Sequence, residues 1–280
     1  MTLSLGGPAG TTERVVPARL ARSWQLVSAL RLDEARGTLA DSVVIDLEDA
    51  VPAAQKSAAR EAAARWLATG SAWVRVNDAT SGEWSADLGA VGGITGLRGV
   101  MLAKVESAEQ IEATAAGLPT GTRIVALVES ARGLEAAADI AASPGTFRLA
   151  FGSGDFRRDT GVGDDPLALA YARSRLVVAS AAAGIPGAID GPTITESADA
   201  LTTAARHSRT MGLTGKLTLR GDHAALINDA LSPSADEREW AAGMLDRTAS
   251  GDARDGSYLP MLARARSIVA LASAFGPLAS

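Results

Sequence analysis

Eight short apolar runs alternate with alanine-rich amphipathic stretches along most of this chain, and few architectures accept that rhythm. The runs are SWQLVSA (23–29), SVVIDLE (42–48), AWVRVND (72–78), GVMLAKV (99–105), RIVALVE (123–129), FRLAFGSG (147–154), IPGAIDG (185–191) and GKLTLRG (215–221). Most are apolar throughout and bounded by Gly, Pro or polar residues, the pattern of parallel strands buried on both faces. Helical stretches at 53–69, 107–117, 131–142, 164–183 and 195–210 lie between most of them. The alternation predicts an α/β fold, a (β/α)8 TIM barrel with a C-terminal helical extension. A doubly wound sheet is the structural alternative. It usually carries a Gly-rich phosphate loop after its first strand, and none is present.

After residue 221 the rhythm changes. Helical segments at 222–230 and 235–249 flank LSPSADE, where Ser232-Pro233-Ser234 is a helix-start signal. A Gly/Asp-rich break, ASGDARDGSYLP (249–260), precedes a last helix at 261–274. The expected organisation is a flexible lead-in over 1–20, the barrel over 21–221 and a C-terminal helical arm or lid over 222–280.

Composition narrows the function classes. Hydrophobic residues make up 47% of the chain and aromatics 4%, which favours tight helix-on-sheet packing over an aromatic-rich sandwich. Net charge is -5 with no basic block, against a nucleic-acid partner. Cysteine is absent, so disulfides, thiolate metal sites and cysteine nucleophiles are excluded, and a cytoplasmic setting is expected. No apolar run approaches the roughly 20 residues of a membrane span.

The ends of the runs carry the chemistry. VVIDLEDAV (43–51) leads an apolar strand into Asp46, Glu48 and Asp49; RIVALVES (123–130) ends in Glu129; FRLAFGSGD (147–155) ends in Asp155. In a barrel such residues converge on the carboxyl-terminal rim, where active sites lie. Glu129 and Asp155 follow consecutive strands, so they sit side by side. Two carboxylates plus water suit Mg²⁺. The alternative is that either residue caps the next helix or pairs with an arginine. Arg75, near the end of the third run, offers a bidentate fork to a substrate carboxylate. Neutralising Asp46, Glu48 or Asp49 on the adjacent strand is an equal alternative. Lys104 invites a Schiff base, but a nucleophilic lysine needs a desolvated or cation-flanked site, so an ion-pairing role is expected. His207 is expected on a solvent-facing helix, and neither it nor His223 has a triad context. The glycines of GSGD (152–155) serve close backbone approach to a ligand.

These residues together resemble the HpcH/HpaI aldolase and citrate lyase beta-subunit family. The matching pieces are RSW (22–24), VVIDLEDAVPAAQKSAAR (43–60), VRVN (74–77), GVMLAKVES (99–107), ALVESARGLEAAADIA (126–141) and FGSGDFRRDTG (151–161). GK (215–216), SPS (232–234) and DGSYLPMLARAR (255–266) continue the order. The resemblance implies Mg²⁺ held by Glu129 and Asp155. It implies that Arg75 grips a 2-keto acid, that Arg22 and Asp46 line the same pocket, and that Gly154 admits a close backbone approach. It further implies a homo-oligomer, often a trimer, with the C-terminal segment swapped onto a neighbour. The implied chemistry makes or breaks a carbon–carbon bond between a 2-keto acid and an acyl-CoA through a metal-stabilised enolate, or hydrolyses malyl-type thioesters.

The chain also departs from the family pattern. Ala103 stands where a proline usually precedes Lys104. Ser28-Ala29-Leu30 replaces a proline-containing loop, and Leu219-Arg220-Gly221 replaces Ile-His-Pro. Asp255-Gly256 is followed by Ser-Tyr-Leu-Pro, without the aspartate that usually acts as an acid/base group. These changes motivate a rival expectation, a catalytically reduced paralogue that binds a keto-acid or acyl-CoA as a binding or regulatory protein.

Overall fold

A computed structural model describes residues 16–250 and 256–276, with the side chains of 248–250 left aside. Eight parallel strands close into a barrel in chain order: β1 (Ser23–Ser28), β2 (Ser42–Asp46), β3 (Ala72–Val76), β4 (Leu97–Leu102), β5 (Ile124–Val128), β6 (Thr146–Phe151), β7 (Ile189–Asp190) and β8 (Gly215–Thr218). Each matches one of the eight apolar runs. The ring closes where β1 pairs with β8, Ser23 opposite Lys216.

Side-chain alternation explains why the strands read as continuous apolar runs. One set of residues, including Trp24, Val44, Trp73, Met101, Leu127, Ala150 and Leu217, fills the barrel interior. The intervening set, including Ile45, Val74, Val100, Ala126 and Leu149, packs outward beneath the helices. Both sets are removed from water, and each fully buried Val, Leu or Ile contributes about 1.5–3 kcal/mol.

The helices are α1 (Lys56–Thr69), α2 (Trp84–Val91), α3 (Ala108–Ala116), α4 (Ala131–Glu135), α5 (Ala137–Ala142), α6 (Ser153–Thr160), α7 (Ala170–Ala182), α8 (Ala198–Thr210), α9 (Ala224–Leu231), α10 (Ala235–Ser250) and α11 (Tyr258–Phe275). In α1 the residues Ala59, Ala63 and Leu67, one every four positions, form the face buried against the strands. Two helices were not expected from the pattern, α2 and α6. The run expected to continue as strand to Gly154 ends at Phe151, because Gly152 caps α6.

The amino-terminal end of the barrel is closed by a buried cation. Arg148 on β6 is fully buried. It donates to the carbonyls of Ala18 (3.3 Å), Ala21 (3.0 Å) and Gly187 (2.8 Å) and to Thr214 Oγ1 (2.9 Å). Its guanidinium lies 5.5 Å from the Trp24 ring. Residues 18–21 are thereby tied to the barrel floor, which corrects the expected loose lead-in over that stretch; positions 1–15 lie outside the described residues.

The expected division at 221/222 also shifts. Helix α9 packs on the barrel, through Ile227 and Leu231 against Leu201 of α8. The extension proper is α10 and α11, which bury Ala241, Met244, Tyr258, Leu262, Ala265 and Ile268 between them. Near its end, Phe275 stacks on Arg22 at 4.1 Å. No helix of the described residues is long and apolar enough to cross a membrane.

Replacing Arg148 with Met removes four hydrogen bonds and a cation–ring contact from the barrel floor. We expect Arg148→Met to lose about 3 kcal/mol or more of unfolding free energy in urea titration. An unchanged midpoint would show that the floor is held without it.

Candidate active site

The carboxyl ends of β2 to β6 build the site. Asp46 ends β2 and Arg75 lies on β3 directly opposite it in the parallel register. Their side chains meet in a two-point fork: Arg75 Nε donates to Asp46 Oδ1 at 2.7 Å and Nη2 to Oδ2 at 2.6 Å. Asp46 also accepts from the backbone N–H groups of Glu48 (2.8 Å) and Ala50 (3.2 Å). Arg75 Nη1 stands 3.1 Å from Glu48 Oε2. The neutralising role foreseen for Arg75 is realised on two of its three candidate partners. Burial opposes the Arg75 charge, but the hydrogen bond and charge of Asp46 outweigh it and raise the guanidinium pKa.

Lys104 follows β4 and extends the network. Its Nζ contacts Glu48 Oε1 and lies 3.4 Å from Asp49 Oδ1. The expected ion-pairing role holds, with different acids from the neighbouring Glu106. Among the described residues Lys104 is the one non-glycine with positive φ, at 51°. Its own N–H donates to Glu129 Oε1 at 2.9 Å. Burial opposes the ammonium, yet the Glu48 hydrogen bond and charge hold it above the ordinary lysine range. Burial also raises the Glu48 carboxyl, against the charge of Arg75 and the Lys104 hydrogen bond.

Glu129 follows β5 and is buried. Burial pushes its carboxyl up to about 8; the Lys104 N–H and Arg75 oppose this, and Glu48 and Asp155 add to it. The helix cap expected as its alternative is supplied by the next residue, since Ser130 Oγ accepts from Gly133 N at 3.1 Å. Gly152, after β6, lies against this carboxylate. A Cβ there would meet Glu129 Oε2 at 2.3 Å and Glu129 Cβ at 2.4 Å, so no other residue fits without moving Glu129. Gly154, the glycine singled out from sequence, faces open space.

Asp155 sits in the first turn of α6. Its Oδ1 pairs with Arg158 at 2.9 Å, so the arginine alternative is half realised. Its Oδ2 is buried with no hydrogen-bond partner. A cleft of about 370 Å³ joins these groups, lined by Lys104 and Glu106 after β4, Glu129 and Ser130 after β5, and Asp155, Arg158 and Asp159 on α6. No group of three or more His, Asp or Glu side chains arranged to hold a metal occurs among the described residues. The pair Glu129 and Asp155 nonetheless fits a hard divalent cation, which needs only one or two protein carboxylates and takes the rest from water and substrate. The buried, unpartnered Asp155 Oδ2 is the atom that asks for one.

Arg22 does not join this site. It precedes β1, at the amino-terminal end of the barrel, and its guanidinium forks onto Asp41 at 2.8 and 2.9 Å and donates to Ser232 Oγ at 2.7 Å. The expectation that it lines the pocket is corrected by strand direction: residues before a strand and residues after it lie at opposite ends. Of the histidines, His207 is half-buried on α8, the helix expected to face solvent, and His223 is buried. Asp255 lies outside the described residues.

Known proteins resemble this chain in sequence and fold. The family model for HpcH/HpaI aldolase/citrate lyase matches residues 25–220, and the model for the HpcH/HpaI aldolase C-terminal domain matches residues 236–276. The (3S)-malyl-CoA thioesterase of Cereibacter sphaeroides is 31% identical over 220 residues, covering 75% of each chain. The protein CitE of Mycobacterium tuberculosis, in complex with magnesium, acetoacetate and coenzyme A, superposes with a TM-score of 0.77 at 28% identity, covering 91% of this chain and 99% of that one. The citrate lyase beta subunit of the same organism, complexed with oxaloacetate and magnesium, gives 0.67 at 29%, covering 77% and 99%. The matched models span the barrel and its extension, and the chain belongs to the HpcH/HpaI aldolase/citrate lyase family.

Proposed function

We propose that this protein is a Mg²⁺-dependent carbon–carbon lyase or aldolase acting on a 2-keto acid, with an acyl-CoA as the second reactant or product. The observation that carries the reading is Asp155 Oδ2, buried and unpartnered beside the Glu129 carboxyl in the rim cleft. Relatives that hold magnesium with oxaloacetate, or with acetoacetate and coenzyme A, support the same assignment. Glu129 and Asp155 would hold the ion, which supplies Lewis-acid charge to the substrate carbonyl. Arg75 grips the substrate carboxylate with the N–H donors left over from Asp46 and Glu48. Asp46 fixes the guanidinium plane, so the grip is set before substrate arrives. Gly152 keeps the Glu129 carboxylate in place, and Gly154, one residue before Asp155, leaves open space for the backbone approach of a ligand. Lys104 adds a fixed positive charge at the rim. Held charged by Glu48, it does not serve as an amine nucleophile. The assembly proposed with this function is a cytoplasmic homo-oligomer.

A second reading, the catalytically reduced binding paralogue, is favoured by one feature of the rim. Arg220 stands where the family has histidine and pairs with Glu196 at 2.6 Å and Asp222 at 2.6 Å. The sequence Ser257-Tyr258-Leu259-Pro260 after Gly256 points the same way.

Oxalate, an analogue of a pyruvate-type enolate, tests the first reading by calorimetry. Wild type should bind it only with Mg²⁺, and Asp155→Asn should lose that binding; Mg²⁺-independent binding would sink the metal assignment. Turnover of any keto-acid and acyl-CoA pair by wild type separates the readings: it sinks the binding paralogue, whereas turnover gained only in Pro260→Asp supports it. Assays with and without CoA thioesters distinguish a lyase from an aldolase acting on free hydroxy-keto acids.

The Glu129 carboxyl sets a pH dependence. Below about 8 the metal-free folded protein keeps this proton and the unfolded chain releases it near the ordinary glutamate value. Metal-free stability should therefore fall as pH rises between those two values. Mg²⁺ must displace the proton, so its affinity should rise about tenfold per pH unit up to that point and level off above. Mg²⁺ titrations that are flat across this range would contradict the protonated Glu129. Gly152→Ala, which crowds the same carboxylate, should weaken Mg²⁺ binding by roughly tenfold or more.

A further inference from the structure

We propose that Arg158 is a specificity-determining residue that pairs with a second acidic group on the substrate, so that the site favours dicarboxylic over monocarboxylic keto acids. This rests on the keto-acid reading above. Two cationic side chains line the cleft, Lys104 and Arg158. Lys104 is committed to Glu48 and Asp49. Arg158 meets Asp155 Oδ1 across one helical turn, with its side chain 74% exposed. An exposed pair of this kind is weak and readily exchanged, and a guanidinium matches a carboxylate in a two-point fork.

The surroundings make such a cation necessary for a second acid. Glu106 and Asp159 also line the cleft, and both are already engaged: Glu106 accepts from Ser130 Oγ at 2.7 Å and Asp159 from Ala131 N at 2.8 Å. A distal carboxylate entering between them meets like charge unless Arg158 turns to it. The cleft has the room. At about 370 Å³ it is about twice the size of a three-carbon keto acid, whose six heavy atoms take roughly 180 Å³ if each water-sized group takes ~30 Å³. The adjacent Arg157 provides an internal comparison, because it is held by Asp164 and is not part of the cleft lining.

Calorimetric titration of pyruvate and of oxaloacetate in saturating Mg²⁺, on wild type, Arg158→Gln, Arg158→Lys and Arg157→Gln, tests this. Arg158→Gln should weaken oxaloacetate about tenfold while leaving pyruvate within about twofold, as expected for one lost charge-assisted contact. Arg158→Lys should recover part of the loss, and Arg157→Gln should match wild type. An unchanged oxaloacetate-to-pyruvate ratio in Arg158→Gln overturns the assignment. An equal loss in Arg157→Gln does so too, since it would mark a diffuse charge effect. A wild type that binds pyruvate with Mg²⁺ but shows either of those results keeps the keto-acid reading and loses only Arg158. A wild type that binds neither keto acid overturns both.

Discussion

The fork between Asp46 and Arg75 is the interaction on which the rim depends. Burying an ion pair costs more in desolvation than the pair returns unless its remaining hydrogen-bonding capacity is also met. Here Asp46 takes two bonds from Arg75 and two from backbone N–H groups. From that fixed point the contacts run around the rim: Arg75 to Glu48, Glu48 to Lys104, the Lys104 backbone to Glu129, and Glu129 against Gly152. Five consecutive strands are linked through side chains as well as through the sheet. The inventory is unbalanced. Asp46, Glu48, Asp49, Glu129 and Asp155, with Glu106 and Asp159 on the same cleft, face Arg75, Lys104 and Arg158, a surplus of negative charge if all ionise. In the metal-free protein Glu129 meets part of this by keeping its proton. A divalent cation would offset two of these charges.

The two ends of the barrel handle a buried arginine in opposite ways. Arg148 at the floor is surrounded by carbonyl oxygens and a hydroxyl, with no carboxylate among its hydrogen-bond partners. Dipoles satisfy it, and it adds rigidity without reactivity. Arg75 at the rim is surrounded by carboxylates, so its charge is coupled to Asp46, Glu48 and Glu129. The fold thus keeps one cation structural and makes the other part of an electrostatic machine, with Trp24 and Trp73, whose rings are 5.1 Å apart, packed in the interior.

The barrel was legible because strands buried on both faces leave uninterrupted apolar runs, and the rim was legible because charge at the end of such a run is costly without a partner. What stayed hidden is what one-dimensional patterns do not carry. Helix α6 has one buried residue, Phe156, so SGDFRRDT shows no apolar stripe and reads as loop. Gly152 and Gly154 look alike in sequence; only the approach of Glu129 separates them. The placement of Arg22 was within reach, because a residue before a strand lies at the amino-terminal end; its pocket role rested on the family resemblance alone. Lys104 and Glu48 form a pair 56 residues apart, with no local signal.

Lys104 also decides which class of carbon–carbon chemistry this rim can support. Schiff-base catalysis needs a neutral amine, obtained by desolvation or by a neighbouring cation. The surroundings here do the reverse. The surplus of carboxylates raises Lys104 and Arg75, while burial raises Glu48 and Glu129, so all four groups hold protons more tightly than they would in water. A site with that bias retains cations and resists deprotonating amines. With a divalent cation held by Glu129 and Asp155 it would be suited to stabilise negative charge developing on an oxygen atom, and it is unsuited to a covalent lysine. The loss of proline before Lys104 leaves this intact, because the position of the ammonium is set by Glu48 and that of the backbone N–H by Glu129, on strands the substitution does not touch.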